Sequence, residues 1–352
     1  MKKMMMAMAL TAGLAVMNMS AFADDADFNV GVVKFVDHAS LDQIEESLED
    51  RLDEIEEEQG VDFEVMDYNG NADASQLQQI GAELVSRGAD VIVAIATPAA
   101  QVLQAATEDD NIPIIFSAVT DPVGANLVES LEQPGGNMTG TSDALNTETM
   151  MQLILAADPE ADKIGLLYSN SEDASKLPIE EAKAFLDEQG VAYVEKTGTT
   201  TDEVNAAVEA LIAEDVDAIF TPTDNTIMNA ELAIFEKLQE AGIPHYAGAD
   251  SFALNGAFLG FGVNYVDLGI ETANMVADLL LNGKDAAKMP VVTFDSGIAT
   301  INTETAAALG FELADVEAAF EPFCSEIVET RTAKDFDDLT DDDDDDDDED
   351  DD

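Results

Sequence analysis

Apolar positions along the chain follow two periods that take turns. Residues 28–36 (FNVGVVKFV), 90–100 (DVIVAIATPAA) and 112–122 (IPIIFSAVTDP) each hold a run that is apolar at nearly every position, the pattern of a strand buried on both faces of a parallel sheet. Between such runs the apolar residues fall at helical spacing. Leu41, Ile44, Leu48, Leu52 and Ile55 make one face over residues 41–59, and Gly60 stops it. Residues 63–69 (FEVMDYN) predict a second strand, 74–87 a helix closed by Gly88, and 98–107 a helix joining the third and fourth strands. Strand and helix in strict alternation predict an α/β fold with a parallel, doubly wound sheet.

The rhythm breaks at Pro134-Gly135-Gly136. Residues 137–143 (NMTGTSD) are short, polar and β-branched, and predict a strand that crosses out of the first lobe. After a helix over 147–157 the pattern restarts. Strands are predicted at 163–169, 191–197, 216–223, 243–249 and 258–265, with helices at 179–189, 201–214, 227–241 and 268–281. Two doubly wound lobes joined by a hinge are expected. Lobe 1 takes residues 24–140 with a return segment at about 291–310, and lobe 2 takes 141–290. The crossings are expected near 139–143, near 246–250 and after Pro290. Residues 311–340 form a C-terminal extension, with an added helix over 316–328. Residues 341–352, eleven Asp and one Glu, form a disordered acidic tail.

Residues 1–23 have the pattern of an export signal: Lys2 and Lys3, an apolar stretch over 4–17, and the small-x-small site Ala21-Phe22-Ala23. The stretch is too short for a membrane span, and no cysteine lies near the cleavage site to carry a lipid. Cleavage after Ala23 and release into a periplasm are expected.

Composition then narrows the chemistry. There are 76 acidic and 14 basic residues, a net charge of −62, and the excess persists without the last twelve residues. Phosphate binding needs clusters of Lys and Arg, so nucleic acid is excluded as a partner, and anionic lipid with it. One cysteine, Cys324, excludes a cysteine zinc site and an internal disulfide. The sequence has no GxSxG, HExxH or GxxxxGK[ST] motif, so no enzyme, cofactor or metal site is expected. His38 has no histidine near it in sequence and is expected to position a loop.

The candidate site lies where apolar strands end in small polar residues. In open parallel sheets, ligands sit beyond the carboxyl ends of the strands. Thr97 and Thr120 stand there, and Thr223, Asp224 and Asn225 occupy the same place in the second half. Pro98 suits the first turn of a helix, whose free N–H groups favour a carboxylate. An amino-acid zwitterion needs such donors, and an anion for its ammonium; Asp224 and Asp250 fit that role. Phe35 and Tyr168 offer flat apolar surface. Each Thr or Asp also fits the cap of the following helix.

The stretches GVVKFVDHASLD, VAIATPAAQ, FSAVTDPVGANLV, PGGNMTGTSDAL, GLLYSNSED, IFTPTDNT and GVNYVDLG occur in that order between Val30 and Leu309. In them the chain resembles the type I periplasmic binding proteins of ABC importers, and within these the substrate-binding family that includes tryptophan- and other aromatic-amino-acid-binding members. The resemblance implies a monomer that captures a small ligand, an amino acid of aromatic or related type, between two lobes and delivers it to an ABC permease in the membrane. It points to Phe35, Thr97, Pro98, Ser117, Thr120, Asp121, Asp143, Tyr168, Asn170, Ser171, Glu172, Thr223, Asp224, Asn225 and Asp250 as ligand-binding. A sensor that docks on a receptor, and a sugar or nucleoside ligand, stay open at this point.

Overall fold

The computed structural model describes residues 26–294, 296–336 and 338–341; the expected export signal and nearly all of the acidic tail lie outside them. The chain begins β1 (Phe28–Lys34), α1 (Ala39–Gln59), β2 (Phe63–Asn69), α2 (Ala74–Arg87), β3 (Val91–Ile95), α3 (Thr97–Ala106), β4 (Ile114–Ser117) and β5 (Met138–Ser142). It continues α4 (Thr147–Ala157), β6 (Lys163–Tyr168), α5 (Lys176–Gln189), β7 (Ala192–Thr197), α6 (Thr201–Ala213), β8 (Ala218–Thr221), α7 (Asn225–Met228), α8 (Glu231–Ala241), β9 (His245–Ala247), α9 (Asp250–Leu254) and β10 (Leu259–Gly262). It closes with α10 (Tyr265–Leu280), β11 (Val292–Thr293), β12 (Ile298–Asn302), α11 (Thr303–Leu309), α12 (Leu313–Phe320), β13 (Glu326–Thr330) and α13 (Asp338–Asp341). Local chemistry sets these bounds. Asp73, for example, caps α2 by accepting from the backbone N–H of Ser75 and Gln76, and Gly88 ends the helix at φ 74°.

Two sheets result, in the orders β11-β5-β4-β3-β1-β2 and β13-β12-β10-β9-β8-β6-β7. The first is parallel throughout; in the second only the β10–β12 pair is antiparallel. The central strands β3 and β4 are buried at every position, as their unbroken apolar runs require. This is the two-lobed type I binding-protein architecture.

Several expected boundaries do not hold. Residues 137–143 do not leave the first lobe as a crossing strand: β5 pairs with β4 from Met138, and the chain departs only after Ser142. The sequence pattern places residues 265–280 in lobe 2, yet α10 packs along α1 and onto β4 and β5 of the first sheet. Gly269 allows this approach, since a Cβ there would run into the Ser47 hydroxyl and the Ile44 carbonyl. The Thr272 hydroxyl then meets Ser117 at 2.9 Å and Thr141 at 3.1 Å. The middle crossing therefore lies between β10 and α10, not at 246–250, where β9 and α9 both belong to the second lobe.

Of the return segment at about 291–310, only β11 joins the first sheet, through Val292 opposite Thr141. β12 crosses back and pairs with β10. The added helix expected over 316–328 ends at Phe320; Pro322 follows, and the β-branched residues Ile327 and Val328 lie in β13 beside β12. Residues 311–330 thus extend the second lobe instead of lying apart from it. No helix among the described residues is long and apolar enough to cross a membrane.

The acid excess has a consequence for stability. Lys34 is buried and paired with Asp37, Asp42 and Glu45, but 14 basic residues cannot neutralise 76 acidic ones. Self-repulsion at this charge disfavours the compact state, and salt screens it, with a Debye length of about 3 Å at 1 M. The melting temperature is expected to rise from low to molar KCl; a flat or falling curve in a thermal scan would remove repulsion as a limit on stability.

Candidate functional site

A pocket lies between the lobes. The first lobe contributes His38, Ser40 and Leu41 from the start of α1, Thr97 from the start of α3, Thr120, Asp143, and Tyr265 from the start of α10. The second contributes Thr223, Asp224, Asn225 and Met228, with Ser251 and Phe252 from α9.

On the first-lobe side, β3 and β4 each end in an alanine with positive φ, Ala96 at 81° and Ala118 at 54°. L-residues adopt this conformation at a cost of order 1–3 kcal/mol, and the surroundings must hold it. Part of that hold is the Ala96 N–H donating to the Ser117 carbonyl at 2.9 Å. The turn at Ala96 makes Thr97 the first residue of α3, with Pro98 in its first turn. Thr97 Oγ1 is buried and has no hydrogen-bond partner. Thr120 Oγ1 donates to Asp143 Oδ1 at 3.1 Å and meets Thr223 Oγ1 of the other lobe at 2.8 Å.

Three carboxyls stand at or behind the pocket wall, Asp143 and Asp224 buried and Asp250 half-buried. Burial pushes Asp143 up to about 6, against the opposing bond from Thr120. Asp250 is likewise pushed to about 6 by burial, and accepts from Ser40 Oγ across the cleft at 2.7 Å and from the Ser251 N–H at 2.8 Å. Asp224 is pushed to about 8 by burial and by neighbouring Glu172. The lining carries no Lys or Arg.

The second-lobe side is a hydrogen-bonded frame. Asp224 Oδ2 accepts from the Ser169 N–H and the Ser175 hydroxyl, both at 2.6 Å; Oδ1 accepts from the Ile227 N–H at 3.0 Å and so caps α7. Glu172 holds Asn225 and Thr226. Its Oε2 accepts from Asn225 Nδ2 at 2.7 Å, and its Oε1 accepts from the Thr226 N–H and hydroxyl, each at 2.7 Å. Asn225 Oδ1 in turn faces His38 Nε2 across the cleft at 3.1 Å. With Ser40–Asp250, Thr120–Thr223 and Gln101–Asp173 at 3.0 Å, this bond ties the lobes together.

Of the expected ligand-binding residues, the structure brings Thr97, Thr120, Asp143, Thr223, Asp224 and Asn225 to one pocket. Glu172 and Asp250 stand behind its wall, each bonded to a lining residue. The others are elsewhere. Phe35 is packed in the hydrophobic core of the first lobe, and Pro98 is half-buried in the turn after Thr97. Ser117 belongs to the hydroxyl cluster with Thr141 and Thr272, and Asp121 accepts from the Gly124 N–H at 2.8 Å within its own turn. Tyr168 donates to Glu195 on β7 at 2.9 Å, so it faces away from the cleft. Asn170 and Ser171 are exposed, with the Ser171 hydroxyl taken by Ser169 at 2.7 Å. Asn170 and Ser171 thus sit in an ordinary polar turn, whereas Glu172 turns inward and Asp173 reaches Gln101 of the other lobe.

Sequence reasoning missed Ser40, Leu41, Met228, Ser251, Phe252 and Tyr265; the resemblance puts His38 in the cleft loop after the first strand, as a residue that positions the loop and not as a ligand contact. Among the described residues no group of three or more His, Cys, Asp or Glu could hold a metal ion.

Comparison with known proteins agrees with this geometry. The model of the family described as ABC transporter substrate binding protein matches residues 29–318. A tyrosine-binding protein of Clostridioides difficile (strain R20291) is 35% identical over 284 residues, 81% of each chain. The crystal structure of an ABC domain in complex with L-Trp from Streptococcus pneumonia superposes with a TM-score of 0.78 at 35% identity, covering 86% of this chain and 99% of that one. The ligand-free, open structure of a substrate binding protein with adhesive properties from Clostridium difficile gives 0.65 at 32% identity, over 87% of this chain and 100% of that one.

Proposed function

The chain belongs to the family of ABC transporter substrate-binding proteins, which bind solutes and do not transform them, and from that premise we propose that it captures an aromatic amino acid between its lobes and hands it to a membrane permease. The observation that carries the reading is Asp143, a buried carboxylate on the pocket wall with a hydroxyl as its side-chain partner and no Lys or Arg across from it. Such a group fits an ammonium brought by the ligand, since a buried charge needs a partner.

The unpartnered Thr97 hydroxyl and the first N–H groups of α3 supply donors for the carboxylate at the other end of a zwitterion. Thr120 and Thr223 meet the ligand where the lobes join. Asp224 and Asn225 shape the second-lobe wall, with Glu172 and Asp250 bracing from behind. Leu41, Met228, Phe252 and Tyr265 give apolar and aromatic surface for a ring. The better superposition on the L-Trp complex than on the ligand-free open relative, at similar identity, supports lobes that close on the ligand. The pattern of residues 1–23 supports export to a periplasm, where one copy would work as a monomer.

The test is a thermal-shift screen of the mature protein against the twenty amino acids, small sugars and nucleosides. A ligand at 100 times its Kd stabilises by about 2.7 kcal/mol, well within detection. Aromatic amino acids are expected to raise the melting temperature most. A shift with a sugar or nucleoside and none with any aromatic amino acid would overturn the reading.

A further inference from the structure

His38 lines the pocket, and its Nδ1 is a second buried polar atom of the lining residues without a hydrogen-bond partner. Its chemical state follows from the chain of bonds behind it. Glu172 accepts from the Asn225 N–H at Oε2 and from the Thr226 N–H and hydroxyl at Oε1, so the Asn225 side-chain atom 2.7 Å from Oε2 is the Nδ2 donor. The other amide atom, facing His38 Nε2 at 3.1 Å, is therefore the oxygen, which can only accept. Nε2 must carry the proton. Burial lowers the pKa of the ring to about 4, so at neutral pH it is uncharged and Nδ1 is a bare lone pair.

A buried acceptor left without a donor is costly, and the molecule that fills the pocket is in a position to satisfy it. The ligand's ammonium is drawn to the Asp143 carboxylate, because a charge-assisted bond to an anion is stronger than one to a neutral ring. What remains for His38 is an uncharged donor. We propose that His38 Nδ1 accepts a hydrogen bond from the ring N–H or O–H of the bound amino acid, so that the site selects indole and phenol side chains over a plain phenyl ring. This rests on the aromatic-amino-acid reading and adds to it the polarity of the ring. Asn225 and Glu172 act as positioning residues, since they fix the tautomer without touching the ring donor.

The experiment is titration calorimetry of the full mature chain and of His38→Leu with L-tryptophan, 1-methyl-L-tryptophan, L-tyrosine and L-phenylalanine. The wild type should bind tryptophan over its N-methyl derivative, or tyrosine over phenylalanine, by roughly ten- to a hundredfold, the effect of losing one hydrogen bond and stranding its acceptor. In His38→Leu the preference within each pair should vanish, while all four ligands lose affinity by a similar factor through the broken His38–Asn225 bond across the cleft. Equal wild-type affinity within both pairs, or a preference that survives in His38→Leu, overturns the role of His38 and leaves the aromatic reading standing. Binding of no aromatic amino acid removes both. A folding defect in the variant is covered by ¹⁵N NMR of the wild type, which contains only two histidines. The Nδ1 resonance of His38 should move on adding tryptophan or tyrosine and stay when phenylalanine binds; an unmoved resonance at saturation with either of the first two overturns the proposal.

Discussion

Asp143→Ala is expected to weaken binding of an aromatic amino acid by thirtyfold or more, while the unliganded protein stays folded with an equal or higher melting temperature at pH 7.5. The two effects have one cause. Truncating one partner of a buried charge pair costs roughly 2–5 kcal/mol, because the ligand's ammonium would enter the cleft with no anion to meet it. In the empty protein the same carboxylate is a burden. Its pKa is raised by burial from 3.8 to about 6, so the folded state binds its proton more tightly than the unfolded state does. Its contribution to stability is therefore greatest below about 4 and is lost as pH rises to about 6, by up to about 1.4 kcal/mol per pH unit. Affinity should run the opposite way, rising over that window as the carboxylate ionises. Calorimetric titrations at pH 5 and pH 7.5 on wild type, Asp143→Ala and the near-isosteric Asp143→Asn decide the matter. Unchanged affinity in both variants would move the ammonium to another of the buried acids.

How far the sequence reaches can be seen in where it stopped. Period and punctuation located β2, α2 and α4 to the residue, because a buried strand and an amphipathic helix each leave a full pattern in their own segment. Lobe membership leaves no such pattern. The apolar face of α10 is the same whichever sheet it covers; what places it on the first is the tight approach of Gly269 to α1 and the Thr272–Ser117–Thr141 hydroxyls, all contacts between distant residues. The strand-end rule brought Thr97, Thr120 and Thr223 to the cleft, and after β1 it reaches Phe35 and His38, of which Phe35 and not His38 is the expected contact, while Ser40 is passed over. Phe252 and Tyr265 arrive from a short helix and a lobe crossing, which carry no periodic signal. Asn170 and Ser171 show the converse: a polar turn facing solvent has the same composition as a polar turn facing a ligand.

Asp224 separates the two meanings of a polar residue at a strand end. The sequence offers it as the anion for the ligand's ammonium and also as a helix cap. In the structure both of its oxygens are already engaged, by the Ser169 N–H, the Ser175 hydroxyl and the Ile227 N–H. Asp224→Ala is accordingly expected to act on stability first. Loss of the cap costs about 0.5–2 kcal/mol, and stranding the buried Ser169 N–H about 1–3 kcal/mol more. Relief of repulsion with Glu172 offsets part of this, which leaves a melting temperature lower by roughly 4 °C or more. Asp224→Asn should recover little of it, because an amide has one acceptor oxygen where the wild type uses two. The deficit also has a sign in pH. Burial and Glu172 raise the pKa of Asp224 to about 8, so the wild-type group loses its contribution to stability as pH rises from about 4 to about 8. The variant lacks that titration, and its deficit should be larger at pH 5.5 than at pH 9. Affinity should fall only a few-fold, through the looser hold on Asn225. A thirtyfold loss of affinity with the melting temperature intact would reverse the assignment, making Asp224 the ammonium acceptor and Asp143 a brace at the crossing.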